Sequence, residues 1–317
     1  MQSATGIVVI LGTGGTIAGT AADPTRHVGY QAGQLGVEQL IAAVPPLQGQ
    51  ALEAESVARM DSSDMDHATW VLLAAAAARH LARPEVQGVV VTHGTDTLEE
   101  TAYFLHRVLA PAKPLVLTAA MRPATALSAD GPQNLCDAVS VARTPGASGV
   151  LAVLAGQVLA GHELRKVHGY RVDAFSAGDC GPLAVLEDGR LRAFRPWPEG
   201  LAHPVAAQLP AADCWPVVEM VTSHAGASGR TIDALVAGGA QGLVVAGTGN
   251  GSVHASLQAA AQRAIAAGVP VRRASRCQLG GVVEPVEPQA GALPACGMLT
   301  PVQARIELML DLMSGRG

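Results

Sequence analysis

Residues 7–19 read Ile-Val-Val-Ile-Leu-Gly-Thr-Gly-Gly-Thr-Ile-Ala-Gly, an aliphatic run that stops at a cluster of glycines and two threonines. Ile7 to Leu11 is too short for a helix, and its β-branched residues suit a parallel strand covered on both faces. Gly12, Gly14, Gly15 and Gly19 let the backbone turn tightly and bring its N–H groups near a ligand. Thr13 and Thr16 are the only side chains there with chemistry, so a hydroxyl is the point of interest. A dinucleotide fingerprint G-x-G-x-x-G fails, because counting from Gly12 its third glycine falls on Ile17. A P-loop fails too, since it requires a lysine and the chain's two lysines, Lys113 and Lys166, lie elsewhere. The plain alternative is a strand-to-helix turn with a capping threonine.

Residues 88–100, Gly-Val-Val-Val-Thr-His-Gly-Thr-Asp-Thr-Leu-Glu-Glu, repeat the design: an apolar strand, polar residues crowded at its C-terminal end, then a helix start. Ligands of open parallel sheets bind at that end. His93, Thr95, Asp96 and Thr97 would therefore line the same edge as Thr13 and Thr16. Asp96 or Thr97 also suits the cap of a helix over Leu98 to Leu109, with Glu99 and Glu100 favourably placed at its positive end. Capping alone would not require so many hydroxyl and carboxylate groups together.

Strand and helix signals alternate onward, with strands at 114–118 and 149–154 and helices at 68–82 and 133–142. This βαβ rhythm predicts a larger N-terminal α/β domain, residues 1–192, whose mostly parallel sheet is flanked by helices. Residues 157–181 break the rhythm. Residues 193–214, rich in Pro and Ala without periodicity, read as an interdomain connection. A second α/β rhythm over 215–317 predicts a smaller C-terminal domain, with strands near 217–221, 242–246 and 269–274. Its helices fall at 231–237, 254–267 and 300–313.

The paired motifs resemble those of the bacterial-type L-asparaginases, a family that includes glutaminase-asparaginases. The signatures stand here as Thr13-Gly14-Gly15-Thr16-Ile17-Ala18-Gly19 and His93-Gly94-Thr95-Asp96-Thr97-Leu98-Glu99-Glu100-Thr101-Ala102. Further likeness lies in Ala119-Ala120-Met121-Arg122-Pro123, Ser128-Ala129-Asp130-Gly131-Pro132 and Gly247-Thr248-Gly249-Asn250-Gly251, so it covers essentially the full length. The resemblance implies hydrolysis of L-asparagine to L-aspartate and ammonia, with Thr16 as the nucleophile that forms a β-aspartyl ester. It implies catalytic roles for Tyr30 on a closing lid, for Thr95 and Asp96, and for Lys166 as proton shuttle. By the same resemblance Ser62 grips the substrate α-carboxylate. Ser63 stands beside it where many members carry Gln, a departure that bears on asparagine against glutamine preference. Asn250 and Glu287 would hold the α-amino group in a neighbouring subunit's site, with Glu284 as a competing candidate for that carboxylate. A homotetramer built from dimers with shared active sites follows from the resemblance. No metal and no organic cofactor is implied.

Composition agrees with a small-molecule enzyme. The 317 residues are 49% hydrophobic and 3% aromatic, enough for two cores built from Ala, Val, Leu and Ile. A net charge of -5 offers no footprint for nucleic acid. No apolar run is long enough to span a membrane. The five scattered cysteines lack C-x-x-C spacing and read as free thiols in a reducing compartment. His162-Glu163 does not complete H-E-x-x-H, so a metal reading is weak. With no basic n-region or apolar h-region before the first strand, the expectation is cytoplasmic, or periplasmic for a chain already trimmed to its mature form. Two other functions fit the pattern: a dual glutaminase-asparaginase, and a non-catalytic amino-acid sensor with two α/β domains around a cleft.

Overall fold

The computed structural model describes residues 6–25, 29, 31–287 and 291–316. The chain divides into two compact units, one through Ala202 and one from His203. Residues 193–214 are shared between them, ending a strand of the first and supplying short 3-10 turns at Pro204–Gln208 and Ala212–Cys214 to the second.

The first unit comprises β1 (Ile7–Gly14), α1 (Val37–Ala42), β2 (Leu52–Met60), α2 (His67–Leu81), β3 (Val86–Thr92), α3 (Leu98–Leu109), β4 (Leu115–Thr118), α4 (Gly131–Ala142) and β5 (Val150–Leu154). It continues with β6 (Gln157–Ala160), β7 (Arg165–Lys166), β8 (Phe175–Ser176), β9 (Ala184–Glu187) and β10 (Arg190–Ala193). Eight strands form one sheet in the order β10-β9-β6-β5-β4-β3-β1-β2. The strands from β2 to β5 are parallel, whereas β6, β9 and β10 extend the sheet antiparallel. This is the larger, mostly parallel sheet the sequence implied, and the break in rhythm after 157 is its change to antiparallel pairing. Strands β7 and β8 form a separate hairpin.

Each central strand buries both faces, which is why its sequence runs apolar without alternation. Val8, Ile10, Val90, Val116 and Leu151 face a core shared by α1 and α4. Helices α2 and α3 cover the other face, where Trp70 stacks on Phe104 at 4.9 Å between ring centroids. Because α4 lies on the face of α1 rather than of α3, the β4–α4–β5 crossover has the opposite hand to the other three. The loop leading into α4 is thereby folded against the chain that follows β1: Ala124 N–H donates to Gly19 O at 2.9 Å, and Ala21 N–H to Thr125 Oγ1 at 2.8 Å.

Strand β2 runs from Leu52 to Met60, just ahead of Ser62. It is an edge strand whose pattern alternates: Leu52 and Ala54 join the α1 core, while Glu53 and Glu55 pair with Arg83 and Arg79 at α2 and its C-terminal turn.

The second unit has a parallel sheet β11 (Val218–Thr222), β12 (Gly242–Gly247), β13 (Val271–Ser275) in that order. Helices α5 (Arg230–Ala237) and α6 (Ala255–Ala266) build its core with Ile232, Leu257 and Ala261 against Leu243 and Val245. Helix α7 (Pro301–Met313) packs on all three strands and starts at a capping box, Thr300 N–H to Gln303 Oε1 at 3.1 Å and Gln303 N–H to Thr300 Oγ1 at 3.3 Å. No described helix is long and apolar enough to cross a membrane.

Candidate active site

The parallel strands run β2-β1-β3-β4-β5, so the chain leaves β1 in one direction and β3 in the other. That reversal opens a crevice at the C-terminal ends of β1 and β3, where doubly wound sheets bind ligands. Thr16 follows the one strand and Thr95 the other, and both are buried. The two ends are closed on each other by glycines. Gly15 has φ +78°, and a Cβ placed on it would lie 2.3 Å from Gly94 Cα, so only a residue without a side chain lets the loops touch. From the β2 end, Ser62 closes the third side, its Oγ 2.3 Å from where a Gly94 Cβ would stand.

Thr95 is surrounded by ionisable partners. Lys166 Nζ donates to Thr95 Oγ1 at 2.9 Å and also pairs with the Asp96 carboxylate. Lys166 is thus drawn inward from the surface position a lone lysine normally takes, with 16% of its side chain exposed against 57% for Asp96. Ser62 Oγ accepts the Asp96 N–H at 3.1 Å, which leaves its own hydrogen to donate to an anion. Thr97 stands at the helix N-cap position, yet its hydroxyl donates to Ser62 O at 2.7 Å instead of capping α3. The crowding of polar groups here serves to lock β2, β3 and β7 together rather than to start a helix.

Behind this cluster lie two groups whose protonation is set by burial. His93 is fully enclosed, with Nδ1 2.6 Å from Gly94 O and Nε2 3.0 Å from Thr101 Oγ1, which in turn accepts Trp70 Nε1–H at 2.9 Å. With the threonine oxygen occupied by the indole, its hydrogen goes to Nε2, and the ring proton sits on Nδ1. Desolvation pushes His93 down to about 4, so it is neutral. His93 therefore supports the Gly94 backbone rather than lining the open edge. Glu99, in the first turn of α3, is raised by burial to about 7, and its Oε2 accepts the Lys166 backbone N–H at 3.4 Å.

The remaining polar positions divide clearly. Ser63 is exposed and turned onto Asp61 Oδ1 at 3.0 Å. Asp66 caps α2, accepting Thr69 N–H at 2.8 Å. Tyr30 lies outside the described residues. In the second unit, Asn250 uses both ends of its amide on one backbone residue, Nδ2–H to Val283 O at 2.9 Å and Val283 N–H to Oδ1 at 2.8 Å. Its side chain thus pins the loop that carries the two competing carboxylates. Glu284 is committed to Arg273 at 3.0 Å and to Ala295 N–H at 3.2 Å, whereas Glu287 is exposed.

Glu163 pairs with Arg195 at 2.7 Å, and the five cysteines are free thiols. Among the described residues His203, Glu307 and Asp311 have metal-ligand spacing, but Asp311 already faces Arg272 at 2.8 Å and Arg316 at 3.3 Å. Glu99 is the one feature of the site that sequence reasoning passed over as a helix-dipole residue, since nothing distinguishes it from Glu100 without the position of β7.

Family comparison covers both units. The "Asparaginase, N-terminal" family matches residues 7–199, and the "Glutaminase/Asparaginase C-terminal domain" matches residues 217–317. Over 310 residues the chain is 38% identical to "L-asparaginase 2" of Bacillus subtilis (strain 168), covering 96% of this chain and 81% of that one. It is 37% identical to the "Glutaminase-asparaginase" of Pseudomonas fluorescens biotype A, covering 87% and 77%. The crystal structure of the "Probable Cytoplasmic L-asparaginase from Campylobacter jejuni" superposes with a TM-score of 0.92 at 36% identity, covering 98% of this chain and 96% of that one.

Proposed function

Because the chain belongs to the asparaginase family, with both of its domains present, we propose that Thr16 and Thr95 act in turn on the side-chain amide of L-asparagine, yielding L-aspartate and ammonia. The observation that carries this reading is the closure of the β1 and β3 ends at Gly15 and Gly94, with Lys166 on the Thr95 hydroxyl.

An amide is a poor electrophile, so the reaction needs an activated nucleophile, donors for the oxyanion, and a proton for departing ammonia. Thr16 Oγ1 attacks the amide carbon. Collapse of the tetrahedral adduct expels ammonia and leaves a β-aspartyl ester on Thr16. A water activated beside Thr95 then cleaves the ester, regenerating the Thr16 hydroxyl and releasing aspartate. Lys166, between Thr95 and Asp96, relays the proton, in the manner of a Ser-His-Asp arrangement with different groups. By the family resemblance Tyr30 is a further catalytic residue in this scheme. The charged ends of the substrate are clamped by Ser62 and loop N–H groups for the carboxylate and by Asp96 for the ammonium.

A second carboxylate for the ammonium comes from a neighbouring chain. The engagement of Glu284 with Arg273 favours Glu287 for that role, with Asn250 setting its loop. This implies at least a dimer with shared active sites, which the family resemblance extends to a homotetramer built from dimers, and an active monomer in sedimentation would remove its basis. A cytoplasmic location fits the reading.

Ammonia release from asparagine by the wild type and by Thr16→Ala tests the proposal: turnover is expected in the first and not in the second. Turnover of glutamine as well would make it a dual enzyme, since one methylene is worth only about 1 to 3 kcal/mol of discrimination. Binding of asparagine with no ammonia formed would leave the sensor reading instead.

A further inference from the structure

Lys166 stands on a strand of only two residues. In the antiparallel β7–β8 ladder Lys166 faces Phe175, and Val167 N–H goes to Ala174 O at 2.8 Å. Alternation then sends the Lys166 N–H to the opposite side, away from β8. There it would be a donor without a strand to receive it, and Glu99 Oε2 takes it from the first turn of α3. The same helix begins two residues after Asp96, so one carboxylate ties the lysine's backbone to the helix that directly follows the lysine's partners Thr95 and Asp96.

We propose that Glu99 is a positioning residue for Lys166: by holding the free edge of β7 it sets the level from which the lysine side chain reaches Thr95 Oγ1 and the Asp96 carboxylate. The inference rests on the reading of Thr95, Asp96 and Lys166 as catalytic.

The charged groups that face Glu99 are Glu100 on its own helix and Arg165 and Lys166 on β7. Burial is the largest influence and favours the protonated form, and Glu100 adds to it while the two cations oppose. An ionised carboxylate accepts a hydrogen bond more strongly than a neutral carboxyl. The hold on Lys166 therefore tightens as pH rises through about 7.

The test is steady-state hydrolysis of asparagine by the wild type, Glu99→Gln, Glu99→Ala and Lys166→Met from about pH 5 to pH 9. Glu99→Gln keeps an accepting oxygen of the same shape but no titration. It is expected to stay within about threefold in kcat while losing the inflection near neutrality. Glu99→Ala is expected to lose roughly tenfold or more in kcat with KM little changed. Should the alanine variant not fold, the pH profile of the glutamine variant decides. A merely structural Glu99 would lower the melting temperature yet leave the inflection in place, and that result overturns the proposal, as does wild-type kcat in Glu99→Ala. If Lys166→Met is fully active, the catalytic reading itself is at fault. If Lys166→Met is inactive and both Glu99 variants behave as wild type, only the role of Glu99 falls.

Discussion

The strand ends that carry Thr16 and Thr95 begin from the same device, an apolar parallel strand running into Gly-Thr, and are finished by different forces. Around Thr16 the backbone does the fixing: Gly15 N–H donates to Met60 O at 2.9 Å, Gly33 N–H to Gly15 O at 3.1 Å and Leu35 N–H to Ala18 O at 2.9 Å. Around Thr95 the fixing comes from side chains, namely Lys166, Asp96 and Ser62. An end built from backbone contacts tolerates no added Cβ and is indifferent to pH. One built from ionisable side chains responds to their charge, although Gly94 there is as closed to a Cβ as Gly15.

The comparison is broken most severely if either hydroxyl proves dispensable. Thr16→Ala and Thr95→Ala are each expected to lower kcat by at least about a thousandfold, some 4 kcal/mol of barrier, with melting temperatures close to wild type. Lys166→Met removes the charge at the Thr95 end and is expected to cost on the order of a hundredfold in kcat with little loss of stability. Gly15→Ala attacks the other end through its backbone. With φ +78° and 2.3 Å to Gly94 Cα, it should destabilise the fold by roughly 3 kcal/mol or more in denaturant melts. Comparable stability loss in Lys166→Met, or none in Gly15→Ala, would erase the distinction between the two ends.

Acid sharpens it further. His93 behind Thr95 and His106 of α3 are both pushed down to about 4 by burial. Their unfolded counterparts bind a proton near 6.5, so between those values the unfolded chain holds more protons. The stability they contribute is complete above about pH 6.5 and declines as pH falls toward 4, on the order of 3 kcal/mol for each. Urea melts over that range should show the decline, and His106→Gln should shrink it. The smallest effect is expected at neither end: Asp66→Ala removes the α2 cap and should cost about 1 kcal/mol, with kcat unchanged.

Much of this was legible in the sequence, for identifiable reasons. Strands covered on both faces announce themselves as continuous apolar runs, so β1, β3 and β4 could be placed to within a few residues. The helix over Leu98–Leu109 followed from the capping residues before it and its acidic first turn. Edge and antiparallel strands were harder. Strand β2 alternates and spends its glutamates on α2, while β7 and β8 hold two residues each and have no period to detect. The opposite hand of the β4–α4–β5 crossover leaves no local trace either. At the site, Thr16, Ser62, Thr95, Asp96 and Lys166 were named from motif likeness, and the structure brings Ser62, Thr95, Asp96 and Lys166 into one hydrogen-bonded cluster. Glu99 was out of reach, because its burial depends on a hairpin some 70 residues onward.

The most direct test of the central claim, that two hydroxyls from separate strand ends converge on one carboxamide, is a crystal structure of the enzyme with L-aspartate bound. The account predicts the side-chain carboxylate within hydrogen-bonding reach of both Thr16 Oγ1 and Thr95 Oγ1, with Lys166 still on Thr95. An aspartate that contacts only one threonine, or that binds elsewhere while the enzyme is active, would contradict it.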